Sequence, residues 1–125
     1  MREVWQRFPA DGDVAVLYVE SKMDLRPWGY WMPDGTPYAG TAEIVALTER
    51  VLARNPQHPG ALHLHIHLLE PTTQAARAEA SADTLLTLMP AARHMVHMPS
   101  HIYQRVGRYA DAIRSNELAI AADED

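Results

Sequence analysis

The chain has 125 residues, 47% of them apolar, a net charge of -5 and no cysteine, which fits one globular domain with a real core and excludes a disulfide framework and thiolate metal sites. Any metal must then be held by imidazole and oxygen. No basic block offers a footprint for nucleic acid, no apolar run approaches the roughly 18 residues of a membrane span, and the N-terminus lacks the apolar core of a secretory signal, so a soluble protein, cytoplasmic by default, is expected.

Residues 1 to 8, with Val4, Trp5 and Phe8 apolar and Pro9 behind them, read as the last turns of a helix. From Asp11 to Leu25 the pattern is helical again, with Val14, Leu17, Tyr18, Ser21 and Leu25 recurring at three- and four-residue steps behind a cap at Asp11 or Asp13. Residues 26 to 41 break it. Pro27, Pro33 and Pro37, with Gly29, Gly35 and Gly40, mark a loop that turns at Pro33-Asp34-Gly35. Its aromatics, Trp28, Tyr30, Trp31 and Tyr38, either form a lid over a ligand or plug a gap between helices. Thr41 then caps a helix whose inner face is Ile44, Leu47, Thr48, Val51 and Leu52, ending at Asn55-Pro56.

Between residues 61 and 70 Leu62, Leu64, Ile66 and Leu68 alternate with His63, His65 and His67, a period-two pattern that by itself reads as a strand. Helical neighbours and the repeat register described below favour a helix instead. Thr73 to Leu88 is expected to be one alanine-rich helix stopped by Pro90. Residues 92 to 105 form the next, kinked or restarted near Met98 because Pro99 lacks an amide donor. Gly107-Arg108-Tyr109 turns the chain into a closing helix from Ala110 to Ala122, with Ala112, Ile113, Asn116, Ala119 and Ile120 expected to face inward.

Six of the seven histidines fall in two clusters, His63 to His67 and His94 to His101. His63 and His67 are four apart, as are His97 and His101, so on helices each pair shares a face with Cβ atoms roughly 5 to 6 Å apart. The offsets 63 to 97, 67 to 101 and Pro56 to Pro90 are all 34, the length of one structural repeat.

That period and its accompanying residues resemble the tetratricopeptide repeat family. In the last unit Ser100, Tyr103, Gly107, Tyr109, Ala112 and Ala119 match the family pattern, with Glu124 standing where a proline is usual. The middle unit keeps Ala78 and Pro90 but has Ile66 in place of a small residue. Pro9 to Pro56 spans one repeat plus a 13-residue insertion, the 26 to 41 loop. The chain is also similar to a bacterial subgroup carrying a His-rich motif and a His-Met-Pro-Ser-His-Ile-Tyr segment. The resemblance implies an all-α superhelical solenoid of antiparallel helix pairs, one domain over 1 to 125, with repeats at about 10 to 56, 57 to 90 and 91 to 125. It implies a concave groove lined by Glu20, His63, His67, Glu70, His94, His97, His101 and Gln104, whereas His65 points toward packing and His58 sits between units.

Two readings of that groove follow. The first is a scaffold that binds a protein or peptide partner. The second is a metal-binding protein or metal-dependent enzyme holding zinc, copper, nickel or iron through His63, His67, His97, His101 and Glu70. Neither cluster contains His-Glu-x-x-His, no pairing of a nucleophile with a base is legible, and Ser100 reads as a packing residue, so binding is expected ahead of catalysis. Repeat arrays need polar caps and none is visible, which suggests a piece of a longer repeat protein or self-association through uncapped ends.

Overall fold

A computed structural model describes residues 1–124, and its regular elements are all helices. The elements are α1 (Arg2–Arg7), α2 (Gly12–Asp24), α3 (Thr41–Arg54), α4 (Pro59–Leu69), a 3-10 turn (Ala75–Ala78), α5 (Glu79–Leu88), α6 (Arg93–His97), α7 (Pro99–Arg105) and α8 (Tyr109–Glu124). No strand occurs among the described residues; one isolated bridge joins Trp31 to Pro37. Among the described residues no helix is long and apolar enough to cross a membrane. Neighbours in sequence pack as neighbours in space: α2 on α3, α3 on α4, α4 on α5, α5 on α6 and α7, and α8 across both α6 and α7.

The segment that alternates like a strand is helix α4. Leu62, Leu64, Ile66, Leu68 and Leu69 are all buried, because α2, α3, α5 and α7 all lie against this helix. A helix covered on most sides is apolar on most sides. Its histidines therefore occupy two separate sectors. Residues four apart lie 40° apart around the axis and residues two apart about 160°, so His63 and His67 share one face while His65 points to the other.

Helix ends follow local chemistry. Asp11 caps α2, its carboxylate accepting from the Val14 amide at 3.1 Å. His58 caps α4, Nδ1 accepting from the Ala61 amide at 3.4 Å, with Pro59 in the first helical position. At α3 the expected cap is corrected. Gly40 takes that position with φ 90°, and the Thr41 hydroxyl donates to the Tyr30 carbonyl at 2.8 Å, tying the preceding loop to the helix. The alanine-rich helix begins later than Thr73, since the Thr72 hydroxyl donates to Leu69 O and accepts from Gln74 N, a local turn that competes with helix. Met98 keeps helical angles between α6 and α7, so the proline restart falls where the sequence put it.

Two inward faces differ from expectation. On α2 the buried stripe is Ala15, Val16, Tyr18, Val19 and Met23, while Leu17 and Leu25 are exposed. This stripe packs against α3 and α4, and Trp5 of α1 stacks flat on Tyr18 at 5.0 Å. On α8 Ile113 and Ile120 are 60% and 62% exposed, and the buried residues are Ser115 and Ala119. The Ser115 hydroxyl donates to Val96 O at 2.6 Å on the face of α8 that packs against α6.

The aromatic loop plugs a gap between helices, one of the two roles expected of it. Tyr30 is buried, and Trp31 plugs the gap over α4, its indole N–H donating to Leu68 O at 2.7 Å. Trp28, by contrast, is 69% exposed, adopts φ 62°, and sets its ring edge-on to His67 with centroids 5.1 Å apart.

Candidate functional site

The site forms where α4, α6 and α7 meet. On α4 the four-residue step brings the His63 and His67 rings to 4.7 Å. His94 on α6 completes the group, its Nε2 3.0 Å from Nε2 of His63. One ring nitrogen from each of His63, His67 and His94 lies within 4.8 Å of the others, with His63 and His67 half-buried and His94 exposed. Nitrogens on a tetrahedral ion with bonds of 2.0 to 2.1 Å are about 3.3 Å apart. The His63–His94 edge, at 3.0 Å, is about 0.3 Å shorter than that, and the other edges, at 4.8 Å or less, exceed it by about 1.5 Å at most.

Glu70, at the C-terminal end of α4, organises what surrounds the three rings. Its Oε1 accepts from His67 Nδ1 at 3.3 Å and its Oε2 from His101 Nδ1 at 2.7 Å. A carboxylate on Nδ1 leaves the Nε2 lone pair of His67 facing outward, the second-partner arrangement usual for a metal-binding imidazole. From His101 a chain runs on: Nε2 lies 3.1 Å from His97 Nε2, and His97 Nδ1 lies 2.7 Å from Asn116 Oδ1. The Asn116 amide nitrogen donates to Ala112 O at 3.1 Å, which fixes its oxygen toward His97. His97 Nδ1 then donates to Asn116, and His101 bridges His97 and the Glu70 carboxylate through its two ring nitrogens.

The electrostatics agree. The hydrogen bond to Glu70 raises His101 above its ordinary value of 6.5 despite its burial. Burial pushes the Glu70 carboxyl up, but the bonds from His101 and His67 and their charges outweigh it and hold the group down at about 2. Burial, reinforced by His67 and His94, lowers His63 to about 4. Burial and the neighbouring imidazoles also lower His94. His63 and His94 are therefore neutral imidazoles at pH 7, the form that binds metal.

Of the ligands expected from the sequence, the structure groups His63 and His67 with His94 and gives His97, His101 and Glu70 to the adjacent hydrogen-bonded chain. Glu20, on α2, and Gln104, on α7, are exposed and bond to no residue of the cluster. His58 lies at the start of α4 beside Asp13, and His65 is buried between α4 and α5. Sequence reasoning placed Asn116 inward without linking it to His97, and it did not pair Trp28 with His67. Neither contact has a signal in spacing, because both depend on how a loop and a terminal helix come back across the bundle.

The class this defines is an all-α helical protein with a histidine and glutamate cluster between three helices. Comparison with protein-family models, with curated proteins and with solved structures finds no match to this chain.

Proposed function

We propose that this protein binds a divalent transition metal, zinc, copper(II), nickel or iron, through His63, His67 and His94, in the concave groove of a tetratricopeptide-type stack of helix pairs. The observation that carries the reading is the convergence of three imidazole nitrogens within 4.8 Å, with Glu70 behind His67. Imidazole with oxygen as the only further donor suits this set of ions in a chain without cysteine. Three protein ligands leave a coordination position for water or substrate, and Trp28 stands beside His67 at the edge of it.

A second reading has its own support. An open groove of about 600 Å³ runs beside the cluster, lined by Arg93, His94, His97, Asn116, Ala119 and Ile120, and would accept an apolar side chain of a peptide or protein partner.

Elemental analysis of the untagged protein, before and after dialysis against chelator, separates the two. About one equivalent of metal that survives gel filtration, is removed by chelator and is lost in His63→Ala is the expected result. Metal well below stoichiometry, with no rise in melting temperature on adding ions, would overturn the metal reading in favour of the partner groove.

A further inference from the structure

His65 lies on the face of α4 turned away from the cluster and faces a different set of groups. Its Nδ1 is 2.8 Å from Ser81 Oγ on α5, and its Nε2 is 3.4 Å from Glu49 Oε1 on α3. Glu49 is held in turn by the Arg77 guanidinium. An open groove of about 340 Å³ runs over this row, lined by Glu49, His65, Arg77 and Ser81 together with the apolar Leu52 and Leu62.

Proton order follows from the chemistry of the groups. An ionised carboxylate only accepts, so Nε2 of His65 carries the ring proton toward Glu49. Nδ1 is then the acceptor, and the Ser81 hydroxyl donates to it. Thr48 on α3 and Thr84 on α5 each donate to the carbonyl four residues back, and Ser115 donates to Val96 O. Ser81 instead directs its proton at an imidazole whose far side is oriented by a carboxylate, the arrangement that activates a serine on many unrelated folds.

We propose that Ser81, His65 and Glu49 form a second site, separate from the metal cluster, in which Ser81 is a nucleophile toward small apolar acyl esters. Ser81 Oγ attacks the ester carbonyl while its proton passes to His65 Nδ1. Collapse of the tetrahedral adduct expels the alcohol, which takes that proton, and leaves an acyl-serine. Water then attacks the acyl carbon, giving its proton to His65, which returns it to Ser81 Oγ as the carboxylic acid leaves. Ester and water become acid and alcohol, with no other reactant. Arg77 lines the same groove and holds Glu49, and Leu52 and Leu62 give the acyl chain an apolar surface.

The test uses the full chain in the presence of chelator, so that no metal contributes. The protein is treated with a fluorophosphonate probe and read by intact mass and peptide mapping, and p-nitrophenyl acetate hydrolysis is followed in parallel. The expected result is a single adduct on Ser81, and hydrolysis that falls about 100-fold in Ser81→Ala, which loses stability by leaving buried His65 Nδ1 without its donor but stays folded at the assay temperature by circular dichroism. Glu49→Gln, on the partly exposed side of the row, is the second variant and is expected to slow hydrolysis about tenfold with Ser81 in place. Absence of an adduct on Ser81 in the native protein overturns the proposal. So does hydrolysis that persists in both variants, which would trace it to surface imidazoles.

Discussion

Glu70→Gln separates an orienting carboxylate from a ligand. Glu70 accepts one bond from His67 and one from His101. A glutamine of the same shape keeps one acceptor oxygen and turns the other into a donor, so one imidazole loses its partner and His101 loses its counter-charge. His63, His67 and His94 all remain. Removing the group that orients a metal-binding histidine costs 10- to 100-fold in affinity, about 1.4 to 2.8 kcal/mol. Zinc affinity measured at pH 7.5 by competition with a chromophoric chelator should therefore fall within that range while the stoichiometry stays the same. Unchanged affinity would refute the orienting role, and complete loss of binding would make Glu70 a ligand.

The metal-free protein should lose stability on acidification in a defined window. His63 falls from 6.5 in the unfolded chain to about 4 in the folded one, so its contribution is complete above pH 6.5 and is lost as pH drops toward 4. Glu70, held at about 2, loses its contribution only below 4.5, and His101, raised above 6.5, acts in the opposite sense. Calorimetry in chelator should show a melting temperature that declines between pH 6.5 and 4, with a shallower decline in His63→Gln; parallel curves would contradict this. Ile66→Ala, at a fully buried position, should cost about 2 to 5 kcal/mol in denaturant unfolding. Ile113→Ala should cost less than about 0.5 kcal/mol, because the side chain is in water. Ser115→Ala leaves the buried Val96 carbonyl without its donor and should cost about 1 to 3 kcal/mol by the same measurement.

Those two isoleucines also mark how far the sequence could be read. The helices of the bundle, the turn at Gly107, the restart at Met98 and the two histidine pairs are encoded by neighbours in the chain, in caps, prolines and four-residue steps. Which face of a terminal helix is buried is not. On α8 the apolar periodicity favours Ile113 and Ile120, but the face that packs on α6 and α7 carries Ser115, whose hydroxyl donates to Val96 O, and Ala119. The cluster divides in the same way. Spacing paired His63 with His67 and His97 with His101, but which pair His94 joins depends on where Pro99 restarts the helix, and the roles of His97 and His101 depend on Asn116 and Glu70. The row formed by Glu49, His65 and Ser81 is spread over three helices with successive members 16 positions apart, and no local pattern announces it.

Helix α4 supplies both sites, so their independence can be tested on one element. His63 and His67 face α6 and α7, while His65 faces α3 and α5, about 160° away around the axis. No side chain is shared between the metal cluster and the Ser81 row. Changes on separate faces with no common partner add within about 0.5 kcal/mol. His63→Ala should abolish metal retention and leave fluorophosphonate labelling of Ser81 at its native rate. Ser81→Ala should abolish labelling and leave metal content and affinity unchanged. If either variant lost both properties, the two clusters would be coupled through the folding of α4 itself. One of the assigned roles would then have to be read as structural, and the variant's melting temperature would identify which.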